Sequence, residues 1–313
     1  MTTGIALDLP ADAPRAPRVP RPALVITALA FVFLFAKPAA LLARDWWTNP
    51  EAGHGLLLAP VALWLAWRAG IDERAARPNL ALGVPLLVGA VLLRYVSGLA
   101  AELFTMRFSM LAAAAALVVC YFGVRQLVRW WLPFTLLLLS IPLPEIVLSA
   151  LALPLQFRAS QMGAKLLAMR NIPVLLQGNV IHLPTQTLFV AEACSGLRSL
   201  TALLSLGVLL SALVLRHPVS RALLVLMAIP VAIVVNGVRV FLTGFLVYFV
   251  SREFGSGFMH ATEGWLLFVV AFAILAALAW LLSRLERAVL RHRPPTPPAS
   301  ATPAEPLGAE AAV

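Results

Sequence analysis

Long apolar runs separated by short polar connections are the main pattern of this 313-residue chain. A helix needs about 20 apolar residues to cross the hydrocarbon core of a bilayer. The runs that approach this length are 23–42, 54–68, 80–100, 103–123, 128–147, 195–215, 222–248 and 262–284, and the second is short. The pattern therefore predicts an all-α polytopic membrane protein with about eight transmembrane helices.

The longest stretch between two predicted spans, residues 148–194, has two parts. In 148–168 the apolar residues fall on one helical stripe, which is typical of an amphipathic helix that lies in the membrane interface. Residues 172–190 contain short β-prone runs that are broken at Gln177-Gly178-Asn179 and at Pro184-Thr185. This second part predicts a small β-hairpin or a three-strand meander directly before the sixth span.

Composition and charge agree with a membrane protein. The chain is 61% hydrophobic and 12% charged, whereas a soluble domain is about half apolar and about one quarter charged. The net charge of +10 comes from residues at the ends of apolar runs, so there is no continuous basic surface for nucleic acid. Every second connection is basic, and the basic positions are Arg68, Arg74, Arg77, Arg125, Arg129, Arg216, Arg221, Arg284, Arg287, Arg291 and Arg293.

Basic connections face the cytoplasm in membrane proteins, so both termini are expected inside. Residues 1–22 are predicted to be a disordered cytoplasmic tail, and 23–285 a transmembrane domain whose segment 148–194 is periplasmic. Residues 286–313, rich in Pro and Ala, are predicted to be a second disordered cytoplasmic tail.

Reactive side chains gather at the start of the sixth span, in Val-Ala-Glu-Ala-Cys-Ser-Gly-Leu-Arg at 190–198. Cys194 there has two interpretations: a small buried apolar residue, or a nucleophile. A helix start favours the thiolate form, and Arg198 lies one turn further along the same helical face. Glu192 and Ser195 are supporting candidates for the same site.

Two further spans carry polar residues that the predicted topology brings to the same membrane face. Arg239 lies about 25 Å along the seventh span, counted from Ala222, and is either an arginine that extends to the headgroups or part of a functional site. Asn236 precedes it by one turn. His260, at the mouth of the eighth span, shares a helical face with Glu263, and a carboxylate can orient an imidazole for proton transfer.

Other kinds of site have less support. His54, in Gly-His-Gly at 53–55, is a supporting candidate but is more simply an interfacial residue. Neither His-Glu-x-x-His nor Gly-x-Ser-x-Gly occurs, so we expect no metal, no other cofactor and no serine nucleophile. Cys120 and Cys194 are predicted on opposite membrane faces and should not form a disulfide.

The chain resembles the exosortase/archaeosortase family of multi-pass bacterial and archaeal enzymes. The resemblance rests on Glu-Ala-Cys-Ser-Gly-Leu-Arg at 192–198, Asn-Gly-Val-Arg at 236–239, and His260 followed by Glu263-Gly264. The segments 173–184 and 53–58 also match. The archaeal branch has an arginine where this chain has His260, so the bacterial exosortase branch is the closer fit.

The resemblance implies a cysteine transpeptidase or protease in the bacterial inner membrane, with Cys194, Arg239 and His260 as the catalytic residues on the periplasmic side. Its partners would be the lipid bilayer and membrane-anchored proteins with C-terminal sorting signals of the PEP-CTERM type, in which a Pro-Glu-Pro motif precedes a transmembrane helix and a basic cluster. A role in surface or exopolysaccharide-associated protein sorting follows. Amine and water both remain open as the acceptor.

Two other classes of function fit the sequence less well. A transporter or flippase for polysaccharide precursors would use Arg198 and Arg239 to bind an anionic headgroup, but such proteins usually have an internal repeat and a midplane site. A non-catalytic membrane scaffold for export machinery would not need Cys194, Arg239 or His260.

Overall fold

A computed structural model describes residues 21–49, 52–72, 76–184, 186–189, 196–251 and 257–291. At positions 21, 145, 151–152, 196–199, 257–263 and 289–291 it describes the backbone alone. The helices within these ranges are α1 (Arg21–Thr48), α2 (Gly55–Ala69), α3 (Leu80–Leu99), α4 (Leu103–Phe122), α5 (Val124–Arg129), α6 (Trp131–Leu139), α7 (Glu145–Ala168), α8 (Gly196–Val214), α9 (Pro218–Phe249) and α10 (Gly257–Arg291). The strands are β1 (Leu175–Gln177), β2 (Val180–His182) and β3 (Thr187–Phe189).

The chain is a multi-pass membrane protein. In the described part, five helices are long and apolar enough to cross a bilayer, namely Pro22–Thr48, Leu80–Leu99, Leu103–Phe122, Pro218–Phe249 and Gly264–Ala288. Their outer faces are apolar and uncovered, as in α1, where Phe33 is 89% exposed. Gly55–Ala69 and Leu200–Val214 are apolar but shorter. The predicted count of eight spans is therefore not confirmed, although a polytopic α-helical architecture is.

The predicted fifth span, 128–147, is not one continuous helix. Helix α6 ends at Leu139, and a new helix begins at Glu145. Pro142 and Pro144 lie in the connection, and a proline cannot donate the backbone hydrogen bond that would continue a helix. Helix α10 continues to Arg291, beyond the boundary predicted at 285, and residues 292–313 lie outside the described part.

Two of the predicted basic connections lie at the same end of the helices. The side-chain amide of Gln126 donates to the carbonyl of Gly70 at 3.0 Å, and Arg129 forms an ion pair with Asp72 at 3.3 Å. We call this the basic end. The third basic connection is joined to α10, because the Glu286 carboxylate accepts hydrogen bonds from the backbone N–H groups of Arg216 and His217, each at 3.0 Å.

Helices α8, α9 and α10 form the group that carries the candidate site. A continuous apolar core joins them, with Leu203, Leu224 and Leu275 fully buried in it. Gly207 of α8 packs beside Val225 and Ala228 of α9, so the two helices approach closely at this point.

Helix α7 packs lengthwise on the second half of α9. Gly237 accommodates Met162, Gly163 accommodates Val240, and Gly244 accommodates Leu167. Because both residue numbers rise together, α7 and this half of α9 run in the same direction. The predicted amphipathic segment is thus helical, but it packs along the membrane-spanning helix α9 and does not lie flat in the membrane interface as predicted. One face of it is covered by protein: Ala159 and Leu167 are fully buried.

The three short strands form an antiparallel meander in the order β1-β2-β3, in agreement with the meander interpretation. Leu176, Ile181 and Leu188 are aligned across the strands, and they pack toward α7 and the end of α9 in one core with Val240 and Val247. On the other face, His182 bridges the strands, with Nε2 donating to Gln177 Oε1 at 3.2 Å and Nδ1 lying 3.1 Å from Thr187 Oγ1. The sheet therefore stands beside the half of α9 that contains Arg239.

Candidate functional site

The Arg239 side chain lies between α9 and α10. A Cβ atom at Gly264 would be 2.7 Å from Nη2 and 3.0 Å from Cζ of Arg239. The guanidinium group thus rests on the backbone of α10 at a position without a side chain. A glycine here gives the close approach that any larger residue would prevent.

A narrow cleft continues from this contact along the three helices. Its free volume is about 20 Å³, enough for about one water molecule, so it is a crevice between the helices and not a small-molecule pocket. Asn236, one turn before Arg239, is 6% exposed and lines the cleft. The other lining residues in the described part are Leu203, Ala232, Val235, Gly264, Leu267, Phe268 and Ala271.

The helix register relates the predicted site residues to this cleft. On α8, Gly207 packs beside Val225 and Ala228, and Leu203 shares the cleft with Ala232, so lower numbers on α8 face higher numbers on α9. The same register places Gly196, where α8 begins, at about the level of Arg239. Arg198 is in the first turn of α8, although its side chain is outside the description.

His260 and Glu263 are in the first two turns of α10, where the structure describes the backbone alone. Position 260 lies one turn before Gly264 and therefore on the same face of the helix. The contact of Gly264 with Arg239 thus defines the face of α10 that carries position 260. Glu192, Cys194 and Ser195 lie outside the described residues.

His54 is held by a different set of elements. Its Nε2 donates a hydrogen bond to the carbonyl oxygen of Leu139 at 3.1 Å, at the end of α6. Nearby, Nε1 of Trp46 donates to the carbonyl of Ser140 at 2.8 Å, and the Trp46 ring lies directly against Gly55. These contacts satisfy carbonyls that α6 leaves open at its end. They explain the Gly-His-Gly sequence as a joint between α1, α2 and α6.

A buried ion pair near this joint was not predicted. Arg107 of α4 binds Asp45 of α1, with Nη2 and Oδ2 2.6 Å apart, and the Arg107 side chain is only 3% exposed. The signal was present in the sequence, because Arg107 is a charge inside the apolar run 103–123, and such charges are usually paired. The pair connects α1 to α4 at the end opposite the basic end.

Glu102, outside the spans between α3 and α4, is the described acidic group in this region with a shifted pKa. Partial burial opposes ionisation, but hydrogen bonds from the Thr105 hydroxyl and from the N–H groups of Thr105 and Phe104, with the charge of Arg107, together lower the pKa of Glu102. It caps α4 as an anion. Among the described residues, no three His, Cys, Asp or Glu side chains cluster as metal ligands would.

The chain matches a known protein family. The family described as Transmembrane exosortase (Exosortase_EpsH) matches residues 46–297. The matched range includes α2 through α10 and every predicted site residue. No curated protein and no solved structure matches the chain.

Proposed function

Because this chain belongs to the transmembrane exosortase family, we propose that it is a cysteine transpeptidase or protease that cleaves C-terminal sorting signals of exported proteins. The substrates would carry a Pro-Glu-Pro motif, a transmembrane helix and a basic cluster. The observation that carries the proposal is the contact of Arg239 with Gly264 at the level where α8 begins. It supports a site to which Cys194, Arg239 and His260 each contribute from a different helix or its approach.

Cys194 is the proposed nucleophile. It precedes Gly196 by two residues, and two residues of chain span at most about 7 Å. The start of α8 is at the level of Arg239, which supports the proposal that Cys194 and Arg239 act at one level of the membrane. Arg198 and the backbone N–H groups of the first turn would favour the thiolate over the thiol. Glu192 and Ser195 are proposed to support the same segment.

In the proposed reaction, the thiolate sulfur attacks the scissile carbonyl carbon and a C–S bond forms. Arg239, held beside Asn236, stabilises the negative charge that develops on the carbonyl oxygen. His260, oriented by Glu263, gives a proton to the leaving amine as the C–N bond breaks. An amine or water then attacks the thioester carbonyl carbon, its proton passes to His260, and the C–S bond breaks to release the Cys194 thiolate.

We place this site on the periplasmic side of the bacterial inner membrane, with both termini in the cytoplasm. Two basic connections contact each other at the basic end of the helices. This contact supports the orientation, because basic connections remain in the cytoplasm. The site residues lie toward the other end of α9, about 32 Å from Pro218. A protein sorted at this surface would be linked to exopolysaccharide-associated export.

The test is co-expression of the full chain with a membrane protein that ends in a Pro-Glu-Pro signal, a transmembrane helix and a basic cluster. Cys194→Ala should reduce the cleaved fraction by about 10³-fold or more, because the nucleophile is removed. Cys120→Ala is the matched control, since Cys120 is buried in α4 and has no role in the proposed chemistry. Equal cleavage by Cys194→Ala and the unchanged chain would disprove the proposal.

Thiol labelling separates the proposed enzyme from a transporter or scaffold. In the Cys120→Ala background, Cys194 is the single cysteine. An activated Cys194 on the periplasmic side should react with a membrane-impermeant maleimide near neutral pH in intact cells. Absence of labelling, together with normal export in the Cys194→Ala variant, would favour a non-catalytic function.

A further inference from the structure

We propose that β3 (Thr187–Phe189) is a docking strand for the protein substrate, which binds as an added strand along its free edge. This inference rests on the proposed function and assigns the segment that positions the scissile bond. It concerns the backbone of β3, which contains none of the predicted catalytic residues.

The hydrogen-bond pattern defines which groups are free. The N–H of Leu183 donates to the carbonyl of Gln186 at 3.0 Å, so residues 183 and 186 form a hydrogen-bonded pair. Such pairs alternate with non-hydrogen-bonded pairs along an antiparallel ladder. The next hydrogen-bonded pair is therefore Ile181 with Leu188. Thr187, opposite His182, lies between these two pairs, and Phe189, opposite Val180, lies just beyond the second. Both residues are therefore in non-hydrogen-bonded pairs, and their N–H and C=O groups point away from β2.

These groups form a binding edge of two residues. β3 is the last strand of the sheet, and no other residue in the described part hydrogen-bonds to the backbone of Thr187 or Phe189. Two N–H donors and two carbonyl acceptors, about 6.8 Å apart along the strand, are what an extended peptide needs to pair with a sheet edge. Phe189 is also 52% exposed, so its ring is available to a bound peptide.

The position of β3 favours the substrate over another occupant. Leu188 is buried in the same core as Val240, the residue after Arg239. Phe189 precedes Cys194 by five residues, which is at most about 17 Å of extended chain. By contrast, β1 at the other edge packs against α7 through the β1–β2 turn, where Gly178 lies beside Phe157. A peptide paired with β3 therefore lies beside the proposed site. The short edge of β3 matches the length of a short linear motif.

Proline substitutions test the backbone requirement. Phe189→Pro and Thr187→Pro each remove one edge-facing N–H without removing a backbone hydrogen bond to β2. The contact of the Thr187 hydroxyl with His182 is lost equally in Thr187→Pro and Thr187→Ala. Each should lower cleavage of the co-expressed Pro-Glu-Pro substrate at least tenfold relative to Phe189→Ala and Thr187→Ala, which keep the N–H. Leu176 on the far edge is the control position, because its N–H also points away from β2. Leu176→Pro and Leu176→Ala lose the same core side chain, so their cleavage should differ less than threefold. Equal cleavage by the proline and alanine variants at positions 187 and 189 would overturn the inference.

A crosslinking pattern gives a second readout that does not require cleavage or a stable proline variant. Phe189→Cys is combined with Cys120→Ala and Cys194→Ala, and single cysteines are placed at successive substrate positions around the cleavage motif. Strand pairing predicts disulfides at every second position, because alternate side chains share one face. Equal crosslinking at all positions, no crosslinking, or crosslinking between two copies of the enzyme would each overturn the inference.

The two proposals fail differently. If Cys194→Ala cleaves as well as the unchanged chain, the proposed chemistry is wrong, whatever the crosslinks show. If cleavage requires Cys194 but the proline variants match their alanine partners and the crosslinks show no period of two, the chemistry stands and the docking strand is wrong.

Discussion

Arg239 and Gly264 are in contact across the α9–α10 interface, and a methyl group at position 264 would lie 2.7 Å from a terminal guanidinium nitrogen. The two residues are 25 positions apart in sequence. The cleft lined by Asn236 begins at this contact, so the position of the guanidinium group depends on the absence of a side chain on the neighbouring helix.

Gly264→Ala should therefore displace the Arg239 guanidinium and reduce cleavage at least tenfold. The flexible end of an arginine moves at little energetic cost, and alanine favours the helix more than glycine, so thermal unfolding in detergent should change little. Gly89→Ala is the control, because a Cβ at Gly89 in α3 meets nothing within 4 Å. Loss of folding in Gly264→Ala, or full activity, would contradict this account.

Arg239→Lys should lower the rate of cleavage about 10²–10³-fold, the usual effect of removing one oxyanion donor. Lysine keeps the charge but loses the planar, two-pronged donor. Single-turnover rates in proteoliposomes separate this loss from a loss of substrate binding. A purely electrostatic role would give a lysine variant close to the unchanged chain.

The buried Asp45–Arg107 pair should contribute measurably to stability. Asp45→Asn leaves the charge of Arg107, 3% exposed, without its counterion. We expect a loss of about 3 kcal/mol, at the lower limit for buried pairs because Asp45 is 31% exposed. The measurement is thermal unfolding in detergent, and Asp45→Asn combined with Arg107→Met should recover part of the loss.

The Asp72–Arg129 pair is the comparison for this result. Its side chains are 41% and 46% exposed, so Asp72→Asn should cost less than about 1 kcal/mol. Equal losses in Asp45→Asn and Asp72→Asn would show that burial does not determine the strength of these pairs.

Glu102→Gln should remove a pH-dependent part of the stability. The pKa of Glu102 is lowered in the folded protein, so its contribution is complete above the unfolded value of about 4.3 and is lost as the pH falls through the lower folded value. The variant should be less stable by about 0.5–1 kcal/mol at pH 7, because an anion at a helix N-terminus is replaced by a neutral amide. The difference in unfolding temperature should disappear at lower pH.

The helices could be predicted from the sequence because span length depends on local composition. The break after Leu139 was missed because the apolar run continues through Pro142 and Pro144. The length of an apolar run does not show where prolines interrupt the helix. A hairpin and a three-strand meander were both open from the sequence, and the structure shows the meander, with Gly178 and Pro184 near its two turns.

For the site, only the level of each residue along its helix could be predicted from the sequence. Counting residues brought Arg239 to the same membrane face as the start of the sixth span. The contact with Gly264 depends on helix rotation and neighbour identity, which residue counting does not contain. The packing of α7 on Gly237 and Gly244 was likewise beyond prediction, since these glycines fit no local turn. The roles of Cys194 and His260 remain predictions.

The length of α9 has a consequence for the proposed site. Pro218 and Arg239 are separated by about 32 Å of helix, close to the ~30 Å thickness of a bilayer's hydrocarbon core. A few additional ångströms of lipid would draw the guanidinium group into hydrocarbon and lift the substrate's own helix relative to it. Under the proposed function, bilayer thickness would determine whether the guanidinium group and the cleavage motif of the substrate reach the same depth.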